Sequence, residues 1–263
     1  MKTTPTDTYL DTALAAAEKA RAVLFRAFRN PLEVRSKGSP INLVTEADIA
    51  SEKAITDCIK TRHPDHNLLA EEHDYGQTDS PFTWIIDPLD GTNNFAHRLP
   101  HYAVSIALHH HGTTILGVVI DPERDECFQA VRGEGAFLNG ERLSVTDRGE
   151  LTQSLLSTGF YYDRGETMRD SIRKIETLLS LGIMDIRRTG AAALDLSWVA
   201  AGRTDGYFES MLSPWDFAAG ALIVEEAGGH VTDWAGKKVA RSPSGVVATN
   251  GKIHDSLLEI LQT

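Results

Sequence analysis

Leu10, Ala13, Leu14, Ala17, Ala20, Leu24, Ala27 and Phe28 recur at steps of three and four, which predicts an amphipathic helix over residues 7–29, stopped by Pro31. A polar stretch containing Gly38 and Pro40 follows. Thr45 and Asp48 then make the S/T-x-x-D/E start of a second helix, whose apolar positions are Ile49, Ala54, Ile55, Cys58 and Ile59. Beyond it the period changes. Residues 67–70 and 83–86 are short apolar runs bounded by turn residues. Tyr102, Val104, Ile106 and Leu108 alternate with small or polar neighbours, as a half-buried strand requires. Strands are also predicted over 115–120 and 127–131, with a turn between them, and residues 133–141 read as a tight hairpin with Asn139-Gly140 at its tip.

In the second half strand-like and helix-like segments alternate. Strands are predicted over 154–158 and 205–209, and helices over 167–181, 191–201 and 217–227, closed by Gly182, Gly202 and the Gly228-Gly229 pair. The pattern predicts an α/β protein in two intimately packed parts: an α+β N-terminal subdomain (1–148) and an α/β C-terminal subdomain (149–263). The boundary falls near 145–152, and no linker marks it.

Composition sharpens this picture mainly by exclusion. The 263 residues are 41% apolar and 24% charged, ordinary globular usage with ample material for a core. With 26 basic against 37 acidic residues the net charge is −11, which argues against a duplex-binding surface. A negative protein that handles phosphate must cancel charge locally, and bound cations are one way. The two cysteines, Cys58 and Cys127, sit in no CxxC or Cys/His metal spacing, so a reduced cytoplasmic setting is expected. The N-terminal residues lack an apolar signal core and no apolar run approaches 18 residues, so no membrane association is predicted.

The sharpest local chemistry lies in Trp84-Ile85-Ile86-Asp87-Pro88-Leu89-Asp90-Gly91-Thr92-Asn93-Asn94-Phe95. An apolar strand delivers Asp87 at its end, Pro88 bars regular helix, Asp90 follows, and Gly91 permits a tight turn. Two carboxylates three apart on a rigid turn repel each other unless a cation sits between them. Mg²⁺ takes oxygen ligands of this kind and keeps waters for a substrate phosphate. Asp-Pro-x-Asp-Gly is equally a surface turn, because all three residue types favour turns. Asp216, in Ser213-Pro214-Trp215-Asp216, reads locally as the acid of a helix capping box, and Asp48 likewise. Glu71 and Glu72 are adjacent, and either fits a ligand position. Glu209 ends a predicted strand and is as readily solvated as functional. His109, His110 and His111 read as a surface turn, since consecutive strand residues face opposite ways and do not converge on one ion. His97 and His101 border the segment with no assigned proton-transfer role. Cys58 and Cys127 read as core residues.

Taken together, these segments resemble the inositol monophosphatase family. WIIDPLDGTNNFAHRLPHYAVSIAL (84–108) is similar to that family's first signature and SPWDFAAGALIVEEAGG (213–229) to its second. LAEEH (69–73), KGSPINLVTEAD (37–48) and RRTGAAALDL (187–196) resemble further family segments, and all five lie in family order. The resemblance implies the layered α/β/α/β/α sugar-phosphatase fold with a site between the subdomains. It implies two or three Mg²⁺ ions held by Glu71, Asp87, the Leu89 carbonyl, Asp90 and Asp216. Glu71, Thr92 and Asp48 would be catalytic, Thr92 orienting the attacking water and Asp48 supporting its hydroxyl. The Gly91 and Thr92 amides would cradle the phosphate. Leu89, Asp90, Asp216, Gly190, Ala191, Ala192 and Glu209 would complete the substrate contacts.

The implied activity is hydrolysis of a small phosphate monoester, foremost myo-inositol monophosphate, by metal-activated water and without a covalent phosphoenzyme; lithium would inhibit. The same chemistry on fructose 1,6-bisphosphate, histidinol phosphate or 3′-phosphoadenosine 5′-phosphate is the alternative. Asn93-Asn94-Phe95, where nucleotide-directed relatives tend to carry Lys-Glu-Phe, favours the inositol-type branch. A regulatory protein-binding role on the same fold is a further alternative, and the resemblance also implies a homodimer. Three positions depart from the family pattern. Ala70 stands where glycine is common, Asn42 where an acid is common, and Ala191 where a hydroxyl residue is common. The last weakens a preference for inositol.

Overall fold

The computed structural model describes residues 5–30, 34–39, 42–240 and 242–263. Pro31, the expected helix stop, and Pro40 lie outside the described residues, as does the side chain of Asn42. In chain order the elements of the N-terminal half are α1 (Pro5–Ala27), β1 (Val34–Ser39), β2 (Asn42–Thr45), α2 (Glu46–Arg62), β3 (Asn67–Ala70), β4 (Phe82–Asp90), α3 (Thr92–Ala96), β5 (Ala103–His110), β6 (Thr113–Asp121), β7 (Glu126–Val131), β8 (Gly135–Leu138) and β9 (Glu141–Arg142). The C-terminal half continues with β10 (Leu155–Thr158), α4 (Glu166–Ser180), β11 (Asp185–Arg187), α5 (Ala192–Ala200), β12 (Gly206–Leu212), α6 (Pro214–Glu226), β13 (His230–Thr232), β14 (Ser244–Thr249) and α7 (His254–Leu261).

Two sheets organise the chain. The larger runs β3-β4-β5-β6-β7-β8-β9 in sequential order, and the smaller runs β11-β10-β12-β14-β13. Alternation along β4 explains how the larger sheet is covered on both faces. Trp84 and Ile86 point into a core with Ala13, Ala17, Leu24, Ile55 and Ile59 of α1 and α2. Ile85, between them, points into a second core with Leu194 and Leu196 of α5 and Phe217, Leu222 and Ile223 of α6. That second core continues to Tyr207, Val246 and Ala248 of the smaller sheet. A third core packs Leu156, Phe208 and Val247 on Leu178 of α4 and Leu257 of α7. The layers are therefore α/β/α/β/α, with α5 and α6 sandwiched between the sheets. Fully buried side chains such as Trp84, Phe95 and Phe128 contribute on the order of 1.5–3 kcal/mol each through apolar burial.

The central layer needs close approach. A Cβ on Gly117 of β6 would stand 2.8 Å from the Ala219 backbone of α6, so glycine is what lets the helix lie flat on the sheet. Ser105 of β5 also donates to the Trp215 carbonyl at 3.1 Å, fixing the first turn of α6.

Most predicted elements are present, with ends shifted by a few residues. Three findings differ. The strand expected over 83–86 continues as β4 through Asp90. His109 and His110, expected in a surface turn, belong to β5. His109 is buried and His110 stacks on Phe82 with centroids 4.5 Å apart. Only His111 occupies the turn, at φ 46°. The β1–β2 ribbon, α3, β11, β13, β14 and α7 add to the expected set; most are too short to show a period. No helix of the described residues is long and apolar enough to cross a membrane.

Candidate active site

Asp87 and Asp90 reach one pocket because β4 is irregular between them. Asp87 pairs with Ser105 and Asp90 with Ala103, so β4 spends one more residue than β5 over the same span. In a regular strand positions three apart face opposite ways; the extra residue at the Pro88-Leu89 bulge puts both carboxylates on the same side. The bulge is held locally. Leu89 N–H donates to Asp87 Oδ1 at 3.0 Å, and Ser51 Oγ donates to the Pro88 carbonyl at 2.8 Å. Gly91, at φ 89°, then turns the chain into α3.

Glu71 follows β3, and Asp216 stands in the first turn of α6, where its Oδ2 accepts the Ser213 N–H at 2.7 Å in a capping box. Glu71, Asp87, Asp90 and Asp216 line a single cavity of about 320 Å³ together with Leu89, Gly91 and Thr92. Burial, followed by the charges of Glu71, Asp90 and Asp216, holds the Asp87 carboxyl well above the usual carboxylate range. Asp216 is likewise raised by burial and by Asp90 and Glu71. Burial pushes Asp90 up to about 8 against the opposing pull of the Ala193 N–H, which donates to its Oδ2 at 2.7 Å from the start of α5.

Asp87, Asp90 and Asp216 have no ion pair with lysine or arginine among the described residues. Nor do three His, Cys, Asp or Glu side chains among those residues close to a ready-made metal cage. The donor set nevertheless fits a hard divalent cation in kind: it is all oxygen, with crowded carboxyls that backbone N–H groups offset only in part.

Behind this wall, Thr92 Oγ1 lies 3.0 Å from both Asp48 Oδ1 and the Leu89 carbonyl. Asp48 is simultaneously the capping acid of α2, its Oδ2 accepting from Thr45 N at 2.8 Å. Its two oxygens thus do both jobs that the sequence left as alternatives. Burial raises its pKa.

The opposite wall comes from the C-terminal half. Gly190, Ala191, Ala192 and Glu209 line it as expected, joined by Arg188, Asp195 and Tyr207. Glu209 is buried, and Tyr207 Oη donates to its Oε2 at 2.6 Å. Of the two readings left open for it, the solvated one falls, because Gly159 and Tyr207 pack against its carboxyl. Burial lifts Glu209 to about 7 while Tyr207 and Arg188 pull it down. Asp195, buried on α5, accepts from Thr189 Oγ1 at 2.5 Å and is likewise lifted to about 7 by burial. Tyr161 and Tyr162 stand half-exposed at the mouth. The Tyr162 phenol is raised by burial and by the four carboxylates opposite.

A family profile covers residues 6–263, nearly the whole chain, and it is the profile of the inositol monophosphatase family. The chain belongs to that family. Inositol-1-monophosphatase of Synechocystis is 44% identical over 255 residues, covering 97% of this chain and 88% of the relative. Nus factor SuhB of Escherichia coli K12 is also 44% identical, covering 95% and 94%. The solved inositol monophosphatase of Anabaena is 42% identical with a TM-score of 0.88, covering 98% and 97%. A solved IMPase/NADP phosphatase in complex with Mg²⁺ and phosphate is 25% identical with a TM-score of 0.83, covering 97% and 94%.

For this member of the inositol monophosphatase family, every singled-out ligand and substrate residue lines the one cavity except Asp48, which stands behind Thr92. Glu71 rather than Glu72 lines it; the Glu72 N–H instead donates to Glu52 Oε2 at 2.8 Å. Neither His97 nor His101 lines it, and the His101 ring packs edge-on to Trp198. Cys58 is a core residue, whereas Cys127 is partly buried. The residues missed were Asp195, Tyr207, Arg188 and the loop from Gly159 to Arg164. One signal was available for the loop: it follows the carboxyl end of β10, where α/β sheets place their sites.

Proposed function

We propose that this chain hydrolyses small polyol phosphate monoesters, myo-inositol monophosphate foremost, with Mg²⁺ held by Glu71, Asp87, Asp90, Asp216 and the Leu89 carbonyl. One observation carries the reading. Carboxylates from separate elements meet in one pocket at a cost in mutual repulsion that a bound cation relieves while leaving them ionised. Mg²⁺, when bound, supplies positive charge that steadies the phosphoryl oxygens and acidifies a water.

The chain's own residues do the rest by positioning. Thr92 Oγ1 has one proton and two acceptors in reach, so its hydroxyl is locked and turns a lone pair toward the attacking water. Asp48, anchored on Thr45, keeps that rotamer. The Gly91 and Thr92 amides bind phosphate oxygens. Gly190, Ala191 and Ala192 wall the alcohol, and Glu209 accepts from one of its hydroxyls. The same reading takes the protein as a cytoplasmic homodimer inhibited by lithium.

The test is phosphate release with Mg²⁺ from inositol 1-phosphate, fructose 1,6-bisphosphate, histidinol phosphate and 3′-phosphoadenosine 5′-phosphate, with and without EDTA, for wild type and Asp90→Asn. Selective turnover of inositol 1-phosphate, lost in the variant and in EDTA, supports site and substrate. Preference for another ester keeps the site and replaces the substrate. The equal similarity to proteins named Nus factor SuhB favours a second reading, a protein-binding role in transcription. It gains if wild type releases no phosphate from any ester, or if Asp90→Asn leaves the cellular phenotype intact.

A further inference from the structure

The two walls of the pocket come from distant parts of the chain and touch behind it. A Cβ on Gly91 would lie 3.3 Å from both Ala191 Cβ and the Gly190 carbonyl, and 3.1 Å from the His101 carbonyl. Gly190 is left-handed at φ 94°, and a Cβ there would meet Arg188 Nη1 at 2.6 Å and Asn94 Nδ2 at 3.2 Å. The phosphate side and the polyol side are therefore in close contact at Gly91, where even a methyl group would be tight against Gly190 and Ala191.

Asn94 ties them together. Its buried amide donates to the His101 carbonyl at 2.8 Å and to the Thr189 carbonyl at 2.9 Å, across 95 positions of sequence. Two carbonyl acceptors on one side of the amide fix which end carries the N–H groups. Thr189 is gripped from its other side as well, because its Oγ1 donates to Asp195 Oδ2 at 2.5 Å. Asp195 rides on α5, whose first amides also hold Asp90. Gly190 has the widest conformational freedom of any residue type, and it follows directly on a residue fixed at both carbonyl and hydroxyl.

We propose that Asn94 and Thr189 form a clamp that sets the separation between the phosphate cradle and the polyol-binding loop, and so governs selectivity for a polyol alcohol. Both are positioning residues and touch no substrate atom. The inference rests on the phosphatase reading of the pocket for its selectivity, but not for the clamp itself. An ester whose alcohol makes no hydrogen bonds to the 190–192 loop senses the clamp least, and a polyol ester senses it most, because small misplacement of binding groups is costly.

The test compares wild type with Asn94→Asp, which replaces both donors by acceptors, Thr189→Val, which removes the hydroxyl at constant shape, and Thr189→Ser as the rescue. The first readout needs no catalysis: amide hydrogen exchange in peptides covering 187–191 should speed at least tenfold in Asn94→Asp and Thr189→Val and return to the wild-type rate in Thr189→Ser. The second is KM for inositol 1-phosphate divided by KM for phenyl phosphate, which should rise fivefold or more in the first two variants and recover in the third. Unchanged exchange overturns the clamp. KM values that rise in proportion for both esters overturn its role in selectivity. A wild type inert to both esters overturns the phosphatase reading, and exchange then decides the clamp alone. Thr189→Val carries the test if Asn94→Asp does not fold.

Discussion

The two walls of the pocket both bury carboxylates, and they settle that burden differently. On the polyol side each acid has its own neutral donor, Thr189 for Asp195 and Tyr207 for Glu209, and Arg188 lowers both. On the metal side Asp87 and Asp216 are raised by one another's neighbours, with few hydrogen bonds to compensate. The acids of the first wall are partly offset by these donors and by Arg188; on the proposed reading, the second wall is offset by a cation. A buried charge is tolerated when paired, and the kind of pairing tells what the wall is for. Hydroxyls that already share a carboxylate resemble the hydroxyls of a polyol, and oxygens that repel each other await a divalent ion.

The sharpest way to break this contrast is Asp87→Asn. Its amide oxygen can still accept from Leu89 N–H, so the bulge survives, but one repelling charge and one hard ligand are gone. Turnover should fall by about 10³ or more, while the EDTA-treated protein should become more stable by about 1–2 kcal/mol. Calorimetry in EDTA beside a phosphate-release assay checks both. A loss of stability would place the charges of the acid wall in balance already.

The next effect is the pH dependence of the metal-free protein. Asp90 titrates near 8 when folded instead of near 3.8. The folded chain therefore holds a proton that the unfolded chain releases. Its stability should fall as pH rises from about 4 to about 8 and then level. Mg²⁺ opposes this by binding the ionised form, so its increment in Tm should be several degrees larger at pH 8 than at pH 5. Equal increments at both would contradict the contrast.

How much of this was legible in the sequence follows from the same physics. Long apolar periods in α1, β5, β6 and α6 fixed the layers, because burial of one face leaves a periodic trace. The acid wall was legible through dense motifs, yet the strand was read as ending at Ile86. A bulge has no period and depends on the partner strand. Asp48 and Asp216 read equally well as caps and as site residues, and each proves to cap while facing the site region. Asp195 and Tyr207 were missed because they sit within ordinary helix and strand patterns, and Arg188 because it sits in the loop after β11; only tertiary packing turns them toward a cavity. His110 was misread because on Phe82 it packs as an aromatic, and His109 because the β5 pairing that buries it is tertiary; composition reveals neither.

On the polyol wall the effects should be smaller. Glu209 titrates near 7. On the proposed reading its carboxylate accepts a substrate hydroxyl, so kcat/KM for a polyol ester should rise with pH through about 7. Glu209→Gln should remove that limb and raise KM about tenfold, in the range of one hydrogen bond to a charged acceptor. A pH profile of KM separates this from loss of folding, which would not erase a titration.

Tyr207→Phe is the gentlest probe and the most informative about how that wall is balanced. The phenol donates to Glu209 Oε2 at 2.6 Å, a charge-assisted bond that favours the ionised acid. Without it the titration should move above 7 and KM near neutrality should rise about threefold. Stability should drop by about 1–2 kcal/mol at pH 8, where the carboxylate loses its donor. At pH 5 the drop should be smaller, because a protonated Glu209 no longer depends on that donor. The sign follows from linkage: a bond to the charged form stabilises the fold only above the pH at which the charge appears. Chemical denaturation of both proteins at the two pH values decides it. An equal drop at both would make Tyr207 a packing residue and leave Glu209 balanced by Arg188 alone.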